Sequence, residues 1–353
     1  MTADVRPADP VAAVTHPDPY PYYADLTAAR PLHRDEGLGL WVACSAATVT
    51  EVLTSPACLV RPPSEPVPRA LVGSSAGSIF GRLVRMNEGA KHAALKPAVS
   101  AATAGIETHV GEEARRWAEH LFKELKPADD PGRVNEFAFS LSACVLASLL
   151  GVASDMLART AAMVGDFTRS IAPAAASEQL ARGSAAAGEL LDTFRALLDV
   201  RAAGRRATLF GELEREVART GGADREDVVA NGIGFLSQAY EATAGLIGNT
   251  LVILGRQKNG RAASRVDSGQ LDAIVREVVR TTRRSTTRVG SSRTTPRQAF
   301  TFGCGPHACP GETVATAIAT AGVRQLLAGG VKPERFAEPV RYRPSANTRV
   351  PVF

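Results

Sequence analysis

Aromatic residues are scarce in this chain, at 5% of the total. With abundant Ala, Leu, Val and Arg beside them, that composition points to a mainly helical protein. Cysteines are few and odd in number, at positions 44, 58, 144, 304 and 309, with no C-x-x-C spacing. This argues against a disulfide framework or a zinc site and fits a reducing cytosol. No apolar run approaches a membrane span, and Met1 to Asp18 is polar and proline-rich with no apolar signal core. A soluble, cytoplasmic protein without a membrane partner is expected. Basic tracts with interleaved aromatics are missing too, so nucleic-acid binding is not expected.

The 353 residues are 45% hydrophobic and 22% charged, enough for a large core. Length would allow two or three domains without forcing a split. A net charge of +5 fits either a solvated mixed surface or a basic docking face for an acidic partner. Short helices are expected over Tyr20–Ala29 and Ala46–Leu53, with a strand at Leu40–Cys44 between them. From Arg61 to Ser78, Pro, Gly and Ser imply one long loop, either a solvated connector or a binding loop. Helical patterning then fills Gly89–Leu150, broken near Lys126–Pro131. It resumes at Ala153–Arg169, Glu178–Arg201, Leu209–Thr220 and Ser268–Arg280. Asp224 can cap an unusually long helix from Arg225 to about Leu254.

The most informative stretch is Phe302-Gly303-Cys304-Gly305-Pro306-His307-Ala308-Cys309-Pro310-Gly311, followed by a helix-forming run to Gly329-Gly330. Proline favours the first turn of a helix, which places Cys309 just ahead of a helix N-terminus. Orphan N–H groups and the helix dipole there favour a thiolate, and a thiolate in a tight Gly-rich loop is a candidate axial ligand for haem iron.

Phe302, Gly305, His307, Cys309 and Gly311 resemble the cysteine loop F-x-x-G-x-[HR]-x-C-x-G of the cytochrome P-450 superfamily, the haem-thiolate monooxygenases. The resemblance implies the fold: mainly α with small β-sheets, a triangular helical prism holding haem b between a long distal helix and the proximal cysteine-loop helix. It implies one haem-thiolate domain over 1–353, with Cys309 as the iron ligand. Glu277-Val278-Val279-Arg280 resembles the family's E-x-x-R pair, a structural core element upstream of the cysteine loop; by itself it reads as an ordinary helical ion pair. His92 and Lys96, four residues apart on one helical face, resemble the H-x-x-x-R helix that binds a haem propionate, with Lys in place of Arg. His307 and Arg288 are the further propionate candidates that the resemblance suggests.

In the long helix, aligning Ile247-Gly248-Asn249 with the family's distal motif puts Glu241 at the proton-delivering acid. It puts Ala242 at the usual threonine, with Thr243 one place later. One residue turns a side chain by about 100°, so Thr243 does not simply substitute. Glu241 and Thr243 are the catalytic candidates, and Ala239 and Ala242 are candidate substrate-lining residues, with Pro62–Gly81 and Gly234–Glu241 as the wider lining surface. The run Tyr342–Phe353 resembles the closing hairpin of bacterial members, and the chain most resembles the haem domain of reductase-fused members.

One departure is large. Between Glu277 and the cysteine loop the family carries several strands, whereas Val289–Arg293 joins the two sides almost directly. Either a segment is omitted or the chain carries a deletion that would leave sheet edges unpaired. The expectation is an O2-dependent monooxygenase for a hydrophobic small molecule, fed electrons by a ferredoxin or a reductase, which could be a fused module. The alternatives are a peroxide-driven enzyme or a degenerate scaffold protein.

Overall fold

The structure, a computed structural model, describes residues 6–173, 175–201, 208–257, 268–282, 300–337, 340–345 and 348–353. In chain order its helices are α1 (Tyr20–Ala29), α2 (Ala46–Thr54), α3 (Ser75–Phe80), α4 (Gly89–Gly105), α5 (Glu107–Leu125) and α6 (Gly132–Leu150). They continue with α7 (Leu157–Ser170), α8 (Ser177–Arg201), α9 (Leu209–Thr220), α10 (Arg225–Arg256), α11 (Ser268–Thr282) and α12 (Glu312–Ala328). Strands β1 (Leu32–Asp35) and β2 (Leu40–Ala43) form one antiparallel pair, and β3 (Arg341–Arg343) and β4 (Val350–Val352) another. These two-stranded sheets are the only ones among the described residues. The expected shortfall at 289–293 lies outside the described residues.

The chain forms two compact units, neither continuous in sequence. The first comprises Met1–Cys58, Gly248–Cys309 and Lys332–Phe353. Its α2 begins with a reciprocal cap: Thr48 N–H donates to Ser45 Oγ at 3.1 Å, and Ser45 N–H to Thr48 Oγ1 at 3.2 Å. The closing hairpin is tied to the chain start through buried Arg349, whose guanidinium donates to the carbonyls of Ala13, Val14 and His16 at 3.2, 2.7 and 2.8 Å. The same guanidinium stacks on the Tyr342 ring at 3.7 Å.

In the second unit, Leu59–Ile247 and Pro310–Val331, helices are the only regular secondary structure among the described residues. Phe137, Phe167, Phe194 and Phe210 are fully buried in its core. Each such burial stabilises by roughly 1.5–3 kcal/mol. Phe194 and Phe210 meet edge to face at 5.1 Å. Gly232 of α10 lets these rings approach, since a Cβ there would lie 2.5 Å from Phe210. The 19-residue α6 is apolar and long enough to cross a membrane by composition, but 61% of that stretch is buried between its helical neighbours.

The expected long loop from Arg61 to Ser78 is interrupted. A 3-10 turn covers Arg69–Leu71, and α3 starts at Ser75, where the Ser74 hydroxyl accepts the Gly77 N–H at 3.1 Å. The Gly and Ser that read as loop punctuation are a cap and a close approach, because a Cβ on Gly77 would collide with the Leu71 carbonyl. The helices expected over Tyr20–Ala29 and Leu209–Thr220 appear with those bounds, the others with shifted ends, and α10 reaches Arg256. Its expected cap is present: the Asp224 carboxylate accepts the Asp227 N–H at 2.8 Å.

Candidate functional site

The cysteine loop lies in the first unit and is folded by its own backbone. Gly303 N–H donates to the Phe300 carbonyl at 3.0 Å, Ala308 N–H to Gly305 at 3.1 Å and Cys309 N–H to Phe302 at 2.7 Å. Gly303 and Gly305 both adopt φ of 68°, where only glycine is comfortable. Gly305 also faces the end of α2: an added Cβ would lie 2.9 Å from the Leu53 carbonyl oxygen and 3.0 Å from Thr54 Cγ2. The loop ends on Cys309, whose thiol is exposed, with Phe302, Cys304 and His307 half-buried. Burial pushes the Cys44 thiol up and the Cys144 thiol up to about 12, which leaves those two as packing groups rather than ligands. The Thr301 hydroxyl, at the loop entrance, donates to the Val279 carbonyl of α11.

On α11, Glu277 and Arg280 stand 3.8 Å apart with side chains 57% and 61% exposed. The resemblance makes this pair a core element, but here it faces solvent. Leu271, Val275, Val278 and Val279 take the buried face of α11 and leave the charged pair on the other. Arg288 lies outside the described residues.

The second unit holds the remaining candidates. His92, in the first turn of α4, is buried, and Lys96 one turn on is half-buried. In α10, Glu241, Ala242 and Ala239 are half-buried, and the Ala239 carbonyl accepts the Ser142 hydroxyl at 3.1 Å. Thr243 is different: it is 0% exposed, and its hydroxyl has no hydrogen-bond partner among the described residues. A side chain with no exposure lines no solvent-reachable cavity, and two residues of helix put it about 200° round from Glu241. The two catalytic candidates Glu241 and Thr243 therefore lie on different faces of α10, as their spacing implied. Gly311 is half-buried, directly ahead of α12.

No family model matches the chain. Solved structures do: one of CalO2 superposes with a TM-score of 0.77 at 20% identity, covering 98% of this chain and 97% of that one. A structure of P450BioI, solved with an acyl carrier protein bearing hexadec-9Z-enoic acid, gives 0.75 at 17% identity over 95% and 96%. The chain has the cytochrome P-450 fold. A Xylella fastidiosa protein named as cytochrome P-450 133B2 is 27% identical over 204 residues, which supports the superfamily resemblance carried by the cysteine loop. That match spans 57% of this chain and about half, 51%, of the relative.

Haem is the cofactor that a cytochrome P-450 fold implies, and each unit by itself offers side chains of suitable chemistry. The first unit offers an exposed thiol with an imidazole two residues before it. The second offers an imidazole and an ammonium one helical turn apart, suited to a carboxylate pair such as the propionates. Sequence reading missed the polar cluster joining Arg82, Lys91, Asp224, Asp227 and Asn231, which fixes the start of α4 against the start of α10. Burial works against the Asp224 charge, but the Asp227 N–H and the Arg82 guanidinium together hold its carboxyl below the ordinary value. The only hint in the letters was Asp224 and Asp227 at capping-box spacing.

Proposed function

We propose that this chain is a haem-thiolate monooxygenase acting on a hydrophobic small molecule, with 1–353 working as one haem domain. The observation that carries the reading is the exposed Cys309 thiol at the end of a self-bonded, glycine-shaped loop in a chain of this fold. Haem b, when bound, supplies the oxygen-activating chemistry that the side chains lack. Cys309 would hold the iron as thiolate, with Phe302 and Gly311 framing it. His92, Lys96 and His307, with Arg288 as a further candidate, would pair with the propionates. Glu241 is the residue that would hold a proton on the distal helix, and Ala239 and Ala242 leave an apolar surface for substrate. Electrons would come from a ferredoxin or a reductase in the cytoplasm. P450BioI, solved with an acyl carrier protein, raises carrier-bound acyl groups as one substrate form to screen.

A second reading has one specific observation in its favour. Ala242 stands at the usual alcohol position while the neighbouring hydroxyl, Thr243, is fully buried. A distal helix without a placed alcohol fits peroxide-driven oxidation, in which proton delivery to oxygen matters less. Haem-loaded protein assayed with ferredoxin, ferredoxin reductase and NADPH against peroxide alone separates the two. Turnover only with the electron donors supports the first reading, and turnover only with peroxide supports the second. No turnover and no haem uptake would remove both and favour a scaffold role.

A further inference from the structure

Away from the cysteine loop, one buried carboxylate joins three parts of the second unit. Asp227, in the first turn of α10, has a side chain only 6% exposed and takes Arg82 Nη1 at 2.9 Å and Lys91 Nζ at 2.8 Å. Arg82 also reaches Asp224 at 2.8 Å, and Asp224 N–H donates to the second Asp227 oxygen at 3.1 Å. Below them, Asn231 donates to the carbonyls of Arg82 and Asp227 at 2.9 and 2.8 Å and accepts the Val84 N–H at 2.8 Å. A buried carboxylate is costly unless paired, and this one is satisfied only while Arg82 and Lys91 keep their places.

Lys91 is the residue before His92. It sits in the first turn of α4, two residues after Gly89, whose φ of 60° turns the chain into the helix. Further along the helix the Thr220 hydroxyl holds the Ala94 carbonyl, and the Lys91–Asp227 contact fastens the opening turn to the much longer α10.

We propose that Asp227, acting through Lys91, is a positioning residue for the haem-propionate pair His92 and Lys96, an inference that rests on the haem-thiolate reading above. The carboxylate would act on the haem only through Lys91 and the α4 turn. It sets the height and rotation of the α4 turn that presents the imidazole, as an outer partner orients a ligand that makes the direct contact.

The test uses haem-loaded protein. Lys91→Met removes the link to α4 while leaving Arg82 on Asp227, so the unit keeps its buried pair; Lys91→Arg restores the charge. Haem release to excess apomyoglobin should run roughly 10-fold faster in Lys91→Met and in Asp227→Asn, the size expected for loss of an outer partner. Lys91→Arg should stay near wild type. The reduction potential should fall in Lys91→Met, and that fall should vanish when His92 is already replaced by Phe, a coupling that a purely structural salt bridge would not give. Unchanged release and potential in folded Lys91→Met would overturn the inference, as would a fall in potential that persists beside His92→Phe. Should Asp227→Asn fail to fold, Lys91→Met and Lys91→Arg decide alone. A wild-type protein that takes up no haem with thiolate character would instead remove the haem-thiolate reading, and this inference with it.

Discussion

Gly303 and Gly305 share a φ of 68° but not their surroundings, and this separates backbone strain from docking in the cysteine loop. Alanine at either position must hold a left-handed conformation, which costs about 1–2 kcal/mol. At Gly303 the added methyl meets nothing closer than 3.8 Å, an ordinary contact, so strain is the whole effect. At Gly305 the methyl would sit 2.9 Å from the Leu53 carbonyl oxygen and 3.0 Å from Thr54 Cγ2. The carbonyl belongs to the last turn of α2 and cannot swing away as a side-chain end could. Overpacking of this kind adds about 1–3 kcal/mol, giving roughly 2–5 kcal/mol in all. Urea unfolding of the two variants should therefore put Gly305→Ala below Gly303→Ala by about 1–3 kcal/mol, the overpacking part alone. In the haem-loaded protein, Gly305→Ala should also broaden or lose the thiolate band first, since the loop lifts from α2. Equal losses of stability would refute the docking of the loop on Leu53 and Thr54.

Asn231→Ala should cost about 1–3 kcal/mol in urea unfolding, because it leaves the buried Val84 N–H without its acceptor; a loss within error of zero would contradict the cluster. Burial works against the Glu113 charge, but donors from Arg116, Ser148 and Trp117 outweigh it and hold the carboxyl below its ordinary 4.5. Its contribution is thus complete above that value and lost as pH falls through the lower, folded one. Stability measured from pH 6 downward should fall less steeply in Glu113→Gln than in wild type. Native protein treated with maleimide at pH 7.5 and read by peptide mass should label Cys58 and Cys309 and spare buried Cys44 and Cys144, with Cys309 becoming protected once haem is bound. Rapid native labelling of Cys144 would contradict its burial.

Much of the fold was legible because its signals are local. Helices α1, α2 and α9, the length of α10 and the Asp224 cap follow from periodicity, caps and breakers that act within a few residues. Where a residue's role depends on a distant contact, the letters misled or stayed silent. Gly77 looked like loop flexibility, yet it is small because Leu71 passes against it. Glu277 and Arg280 match a motif, but spacing alone does not say which side of α11 packs, and burial of Val275 and Val278 decides it. The burial of Thr243 follows from α10 turning its neighbours inward, whereas only its offset from Glu241 was readable. Asp227 and Lys91 lie far apart in the chain, and only folding makes their contact with Arg82 visible.

The central claim is that Cys309 is a haem-iron ligand, and the carbon-monoxide difference spectrum of the reduced, haem-reconstituted protein tests it most directly. Wild type should give the red-shifted thiolate-type Soret band, Cys304→Ser should keep it, and Cys309→Ser should lose it while still folded by circular dichroism. A thiolate band that survives in Cys309→Ser, or none in the haem-loaded wild type, would contradict the account.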